Sequence, residues 1–250
     1  MLFNLLPFCL FSLLTYLCNQ YFCDMTDITK IDTIIYIGDF ALHQPVTFFT
    51  NCIITVLCFY FYVQLNRSAL QNDSTINWKR FFLLLSLASL LGGISHGFFT
   101  SHEGAGYKSF WLTMQALNIF SVYRAQQATL HSALEHSDKK YYWNLSYHTQ
   151  LILFFVAVFV FQNFLVVIID TAVGLIPIMI IHFIDARKVK ESAWIAYGIL
   201  ILSLSAIVNA TKFSFCAYFN YKDIAHVFAM INLTVMFIGI KRKAVSSLLR

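Results

Sequence analysis

Seven stretches of this sequence, at about residues 38–64, 80–100, 109–128, 145–163, 165–184, 193–211 and 224–240, read as apolar runs of membrane-spanning length. Inside a bilayer no water completes the backbone hydrogen bonds, so a continuous apolar run of this length must form a helix. The expected fold is therefore all-α: a multi-pass transmembrane helical bundle with a seven-helix core and an N-terminal apolar segment. Composition agrees, since 59% of the 250 residues are hydrophobic and 12% are charged, where a soluble domain has about 25% charged residues. Mean hydropathy is +0.68.

The chain divides accordingly. Residues 1–23 contain an apolar stretch with no basic leader and no small-residue cleavage site, expected to be a signal anchor or a signal peptide. Residues 24–37 are a polar, acidic linker, residues 38–240 the seven-helix membrane domain, and residues 241–250 a basic tail. If the first core helix enters from outside, one side receives Arg67, Lys79, Arg80, Lys139, Lys140, Arg187, Lys188, Lys190, Lys241, Arg242, Lys243 and Arg250. The other side receives only Lys30, Lys108, Lys212 and Lys222. Cytoplasmic loops collect basic residues, so the core N-terminus is expected outside and the C-terminus in the cytoplasm. The same topology accounts for the net charge of +5 without a nucleic-acid partner. Short connections make sequential helices antiparallel neighbours. Pro45 and Pro177 are expected to bend their helices. The six cysteines form no CxxC pair; Cys23 and Cys216 share the outer side and are the one pair that could bridge, although free thiols are the simpler reading.

Ionisable residues inside such spans carry the functional information, because each costs several kcal/mol unless it faces a partner. The stretch Gly92-Gly93-Ile94-Ser95-His96-Gly97 surrounds one imidazole with small residues that admit a neighbouring helix. At a rise of ~1.5 Å per residue, His96, His226, Asp170 and Asn209 lie near the outer end of their spans, as do Asp39 and His43. Asp39 and His43 are four apart, on one face if the segment is helical. The opposite halves of these helices hold fewer such groups. Three chemistries suit that slab. Zinc could be held by His96 and His226 with Asp39, His43 or Asp223, hydrolysing a lipid amide or ester. Asp170 would then orient an imidazole or act as base, and Ser95 would donate to an oxyanion or a water. A proton or ion relay needs only paired Asp and His. Haem needs two facing imidazoles and fits least well. Against all three stands a structural reading, in which His43 bridges helices and Asp39 and Asp223 cap helix N-termini. The partners expected on either reading are membrane lipids, with a lipid as the substrate of any hydrolase.

Seven helices in this orientation, with His96 in the second and His226 in the seventh, resemble the CREST superfamily. That group includes the alkaline ceramidases, the progestin and adipoQ receptors and a set of lipid-remodelling proteins. The resemblance implies a membrane hydrolase with zinc on one histidine of helix two and two of helix seven. Two positions depart from the pattern: Gly92 stands where the superfamily has serine, and Met230 where it has the second helix-seven histidine. The alternative to a ceramidase-like hydrolase is a transporter, receptor or scaffold whose polar cluster is a structural network or a proton path.

Overall fold

The computed structural model describes residues 33–67, 71–99, 104–215 and 219–248, which form a β-hairpin followed by seven helices. The N-terminal apolar segment, Cys23, Cys216, His102 and Glu103 lie outside the described residues. Strands β1 (Ile34–Ile37) and β2 (Phe40–His43) pair antiparallel, Ile34 opposite His43. The two-residue turn between them puts Gly38 at φ 63°, the hand that a type II′ hairpin requires at its first central position. This corrects the expectation of a helix from residue 38. Asp39 is an exposed turn residue and shares no helical face with His43.

Helix α1 (Pro45–Asn66) begins at its proline, where the absent N–H has no intrahelical partner to lose. Pro45 therefore starts the helix and does not bend it. The others are α2 (Asp73–Phe98), α3 (Ala105–Leu130), α4 (Lys140–Phe161), α5 (Leu165–Asp185), α6 (Ser192–Thr211) and α7 (Tyr221–Leu248). Six of the seven are long and apolar enough to cross a membrane, which makes this an integral membrane protein by length and composition. The exception is α3. It carries Gln115, Asn118, Arg124, Gln126 and Gln127 and is shielded by α2, α4 and α5 packed around it.

Contacts run α1–α2–α3–α5–α6–α7 and back to α1, a ring of six helices, while α4 sits outside against α3 and α5. Helices α6 and α7 approach backbone to backbone: a Cβ on Gly198 would stand 3.0 Å from the Asn232 carbonyl, and one on Gly239 2.9 Å from the Ile195 amide. Small residues allow such close helix crossings in a membrane. Two ends of the bundle can be distinguished, the hairpin end and the tail end where α7 finishes. The main apolar core lies mostly in the tail halves of the helices, with Ile54, Leu175 and Leu233 near mid-helix. It includes Ile54, Phe61, Trp78, Phe82, Ala125, Ile178, Ile195, Met236 and Phe237. Phe61 stacks on Phe237 at 4.2 Å and meets Phe82 edge-on at 5.2 Å, which closes that half.

Candidate functional site

Beside a smaller apolar cluster of Ile119, Val158, Val166 and Val167 on α3, α4 and α5, the hairpin half buries several polar groups. The α7 N-terminus is built by Asn220 and Asp223: the Asn220 side chain accepts from the Lys222 amide at 2.9 Å, and Asp223 Oδ2 accepts from the Asn220 amide at 2.9 Å. This reciprocal arrangement satisfies amides that the helix leaves orphaned. Thr47 Oγ1 of α1 donates to Asp223 Oδ1 at 2.7 Å. Asp223, fully enclosed, thus fills the capping role and also joins α7 to α1. Lys222 donates to Gln44 beside it at 3.2 Å.

One turn into α7, His226 Nδ1 lies 2.7 Å from Thr50 Oγ1. Thr50 Oγ1 donates to the Thr47 carbonyl at 3.1 Å. A hydroxyl has a single proton, so with it on that carbonyl His226 carries hydrogen on Nδ1 and leaves an acceptor lone pair on Nε2. The imidazole is only partly buried, and no hydrogen bond reaches its Nε2 among the described residues. Asn51, which donates to the Thr47 carbonyl at 2.8 Å, lies against the α2 glycines: a Cβ on Gly92 or Gly93 would sit 3.4 or 3.1 Å from Asn51 side-chain atoms. The glycines beside His96 therefore admit α1, through Asn51 and Phe48.

His96 meets a different neighbour, the edge of Trp111 on α3, with ring centroids 6.0 Å apart. Trp111 Nε1 donates to Gln115 at 2.7 Å, in the amide orientation that also lets Gln115 donate to the Asn163 carbonyl at 3.2 Å. Ser95 is buried and returns its hydroxyl to the Leu91 carbonyl of its own helix at 2.8 Å. Asp170 is bonded to Gln150 of α4 at 2.7 Å. The residues of the anticipated slab are thus divided among α1–α7, α2–α3 and α4–α5. Among the described residues no three His, Cys, Asp or Glu side chains converge as a metal shell requires. Both Asp223 oxygens are engaged, and Asp39 is in the hairpin turn.

The expectation that the other halves hold fewer polar groups is corrected. At the tail end Lys243 Nζ meets Asp185 Oδ2 at 2.7 Å and Ser192 Oγ at 3.0 Å, and Ser192 Oγ also donates to Asp185. This clamp ties α5, α6 and α7 together. His182, with no exposed surface, bonds Thr129 of α3 at 3.2 Å beside Trp78. Sequence reading missed the clamp because Lys243 lies in a basic run 58 residues from Asp185, where each charge reads as solvated. Backbone strain is distributed the other way. Gln44, Gln162 and Lys212, the non-glycine residues with positive φ among those described, are all at the hairpin end. Such conformations gather where a site is formed.

The model of a family of unknown function, DUF6962, matches residues 46–245, which spans all seven helices. No curated protein and no solved structure matches the chain.

Proposed function

We propose that this chain, which belongs to the DUF6962 family, binds an amphiphilic ligand such as a membrane lipid at the hairpin end of its bundle, with His226 recognising the polar head. The observation that carries this reading is the bond of His226 Nδ1 to Thr50; with the Thr50 proton on the Thr47 carbonyl, the other ring nitrogen is left as an acceptor. A fixed ring loses little entropy on binding, and its free acceptor matches a hydroxyl, amide or ammonium donor. Thr50 of α1 lies against the ring, while the packed rings of Phe61, Phe82 and Phe237 fill the bundle towards the tail end. A one-sided site fits a receptor-like or carrier role better than a through-path. The excess of basic residues in the tail-end loops supports placing the hairpin end at the non-cytoplasmic face.

The rival is the zinc-dependent lipid amide hydrolase that the CREST resemblance implies. It needs a third ligand beside His96 and His226, and the described donor set does not supply one. One preparation tests both readings. Lipids retained by the purified protein are identified by mass spectrometry and its metal is measured. A lipid class enriched over the bulk membrane, reduced about tenfold in His226→Ala by loss of a hydrogen bond to the head, is expected. It should be retained in Ile231→Ala, a variant of an exposed α7 position. Identical lipid profiles in all three proteins refute the binding site. One equivalent of zinc, lost in both His96→Ala and His226→Ala, establishes the hydrolase-type centre instead.

A further inference from the structure

We infer that Asp170 is a proton-binding site, held as a neutral acid inside the interface of α3, α4 and α5. The side chain is buried, 1% exposed. Its Oδ1 accepts from Gln150 Nε2 at 2.7 Å, and the same amide nitrogen reaches the Asp170 carbonyl at 3.0 Å. Gln150 Oε1 in turn accepts from Gln126 Nε2 at 2.8 Å. The direction of this chain is forced. A carboxyl oxygen and a carbonyl both accept, so Gln150 must turn its NH2 to them. Its oxygen must then take the NH2 of Gln126. What remains is two buried acceptors without a donor, Asp170 Oδ2 and Gln126 Oε1.

An ionised carboxylate here would have no cation. The ion pairs among the described residues are His131–Asp73 and Lys243–Asp185, and neither involves Asp170. The titratable groups on the packed elements are committed elsewhere or neutral. Tyr123 of α3 bonds His148 of α4 at 2.9 Å, Arg124 reaches Asn77 of α2 at 3.3 Å, and Tyr197 of α6 packs on Phe183. Tyr147 of α4 is enclosed with an unpartnered hydroxyl. An unpaired charge buried at membrane depth is far costlier than the neutral acid. A proton on Oδ2 removes the charge and turns one of the surplus acceptors into a donor, within a helix interface whose other orphan is an amide oxygen.

The surroundings suit a site that exchanges protons. Gly174, one turn along α5, lets the two amides approach: a Cβ there would stand 3.0 Å from Gln150 Nε2 and 3.1 Å from Gln126 Nε2, and would collide with Val122. Gln150 also lines an open groove of ≈ 440 Å³ between α4 and α5, with Tyr142, Ser146, Thr149 and Val173. Leu145, Leu153 and Phe154 make its wall mainly apolar, and it opens Gln150 to the surroundings. Helix α4 is seated on the ring by the apolar cluster of Leu151, Phe154 and Val158 with Ile119, Val166 and Val167, and by polar bonds such as that from Gln150. This site is separate from the one at His226, and each stands or falls alone.

Infrared difference spectroscopy of the purified protein tests the inference. The wild type minus Asp170→Asn spectrum at neutral pH should contain the carbonyl band of a protonated carboxylic acid, unchanged when sodium replaces potassium. Asn offers the same acceptor to Gln150 and a donor in place of the hydroxyl, so Asp170→Asn should melt at or above the wild-type temperature, and Asp170→Ala below it. A carboxylate band in that difference spectrum, or an Asp170→Asn protein that does not fold, overturns the proposal.

Discussion

The two halves of the helix ring are built differently. The tail half holds most of the stacked aromatic and branched core, locked by the Asp185–Ser192–Lys243 clamp, and buries Gln126, Gln127, Thr129 and His182 beside it. The hairpin half has a smaller apolar cluster, joins α1 to α7 through the bonds of Thr47 to Asp223 and Thr50 to His226, and carries the positive-φ residues Gln44, Gln162 and Lys212. Between helices in a membrane, lipid tails are as apolar as leucine, so dense packing and not exclusion from water gives the tail half its cohesion. Polar groups in the hairpin half break roughly even against the bonds they would otherwise seek, which frees that half for recognition. On the proposed reading, the larger apolar core lies in one half and the ligand-binding chemistry in the other.

Substitutions can break this division or sharpen it. The largest effect is expected from Phe61→Ala, which removes the fully buried ring between Phe82 and Phe237 and should cost about 3–5 kcal/mol in unfolding from detergent micelles. Next comes Asp185→Ala. It strips the partner from a Lys243 side chain that is 18% exposed, and about 2 kcal/mol is expected, between the values for surface and buried pairs. In the hairpin half, Asn220→Ala removes the α7 cap and should cost about 1 kcal/mol, read in the same unfolding experiment. His226→Ala should cost only about 0.5 kcal/mol, because Thr50 keeps its bond to the Thr47 carbonyl, yet it should release the retained lipid. A His226→Ala protein as unstable as Phe61→Ala would show that the hairpin half is a structural core, and the contrast would be lost.

Much of the fold was legible in the sequence. The seven apolar runs anticipate all seven helices, and short connections anticipate their antiparallel order, because hydropathy and chain length are local properties. The first element differs from its reading: Ile34–Ile37 counts there in the linker and residues 38–43 in the first span, but the Gly38 turn pairs them as a hairpin and the helix starts at Pro45. Asp223 and His226 were singled out by type and depth, as candidate zinc ligands. Their partners Thr47 and Thr50 were not, since a threonine in an apolar run gives no sign of which helix it will face. Asp170 was placed at the right height and assigned to the wrong neighbours. Depth follows from counting along one helix, whereas azimuth depends on how the helices are rotated against each other.

What the amino-acid sequence settled by itself is the all-helical class, the membrane-like character of the chain and the gathering of basic residues in alternate loops. Each of these depends on the solvation of a segment taken alone. Only the tertiary structure decided that α4 leaves the ring, that the apolar core fills one half, and that His226, His96 and Asp170 turn to three different helices. Those outcomes depend on which side chains interlock across helices, where a glycine such as Gly198 or Gly174 sets the approach to within an ångström, and no single segment encodes its partner's surface.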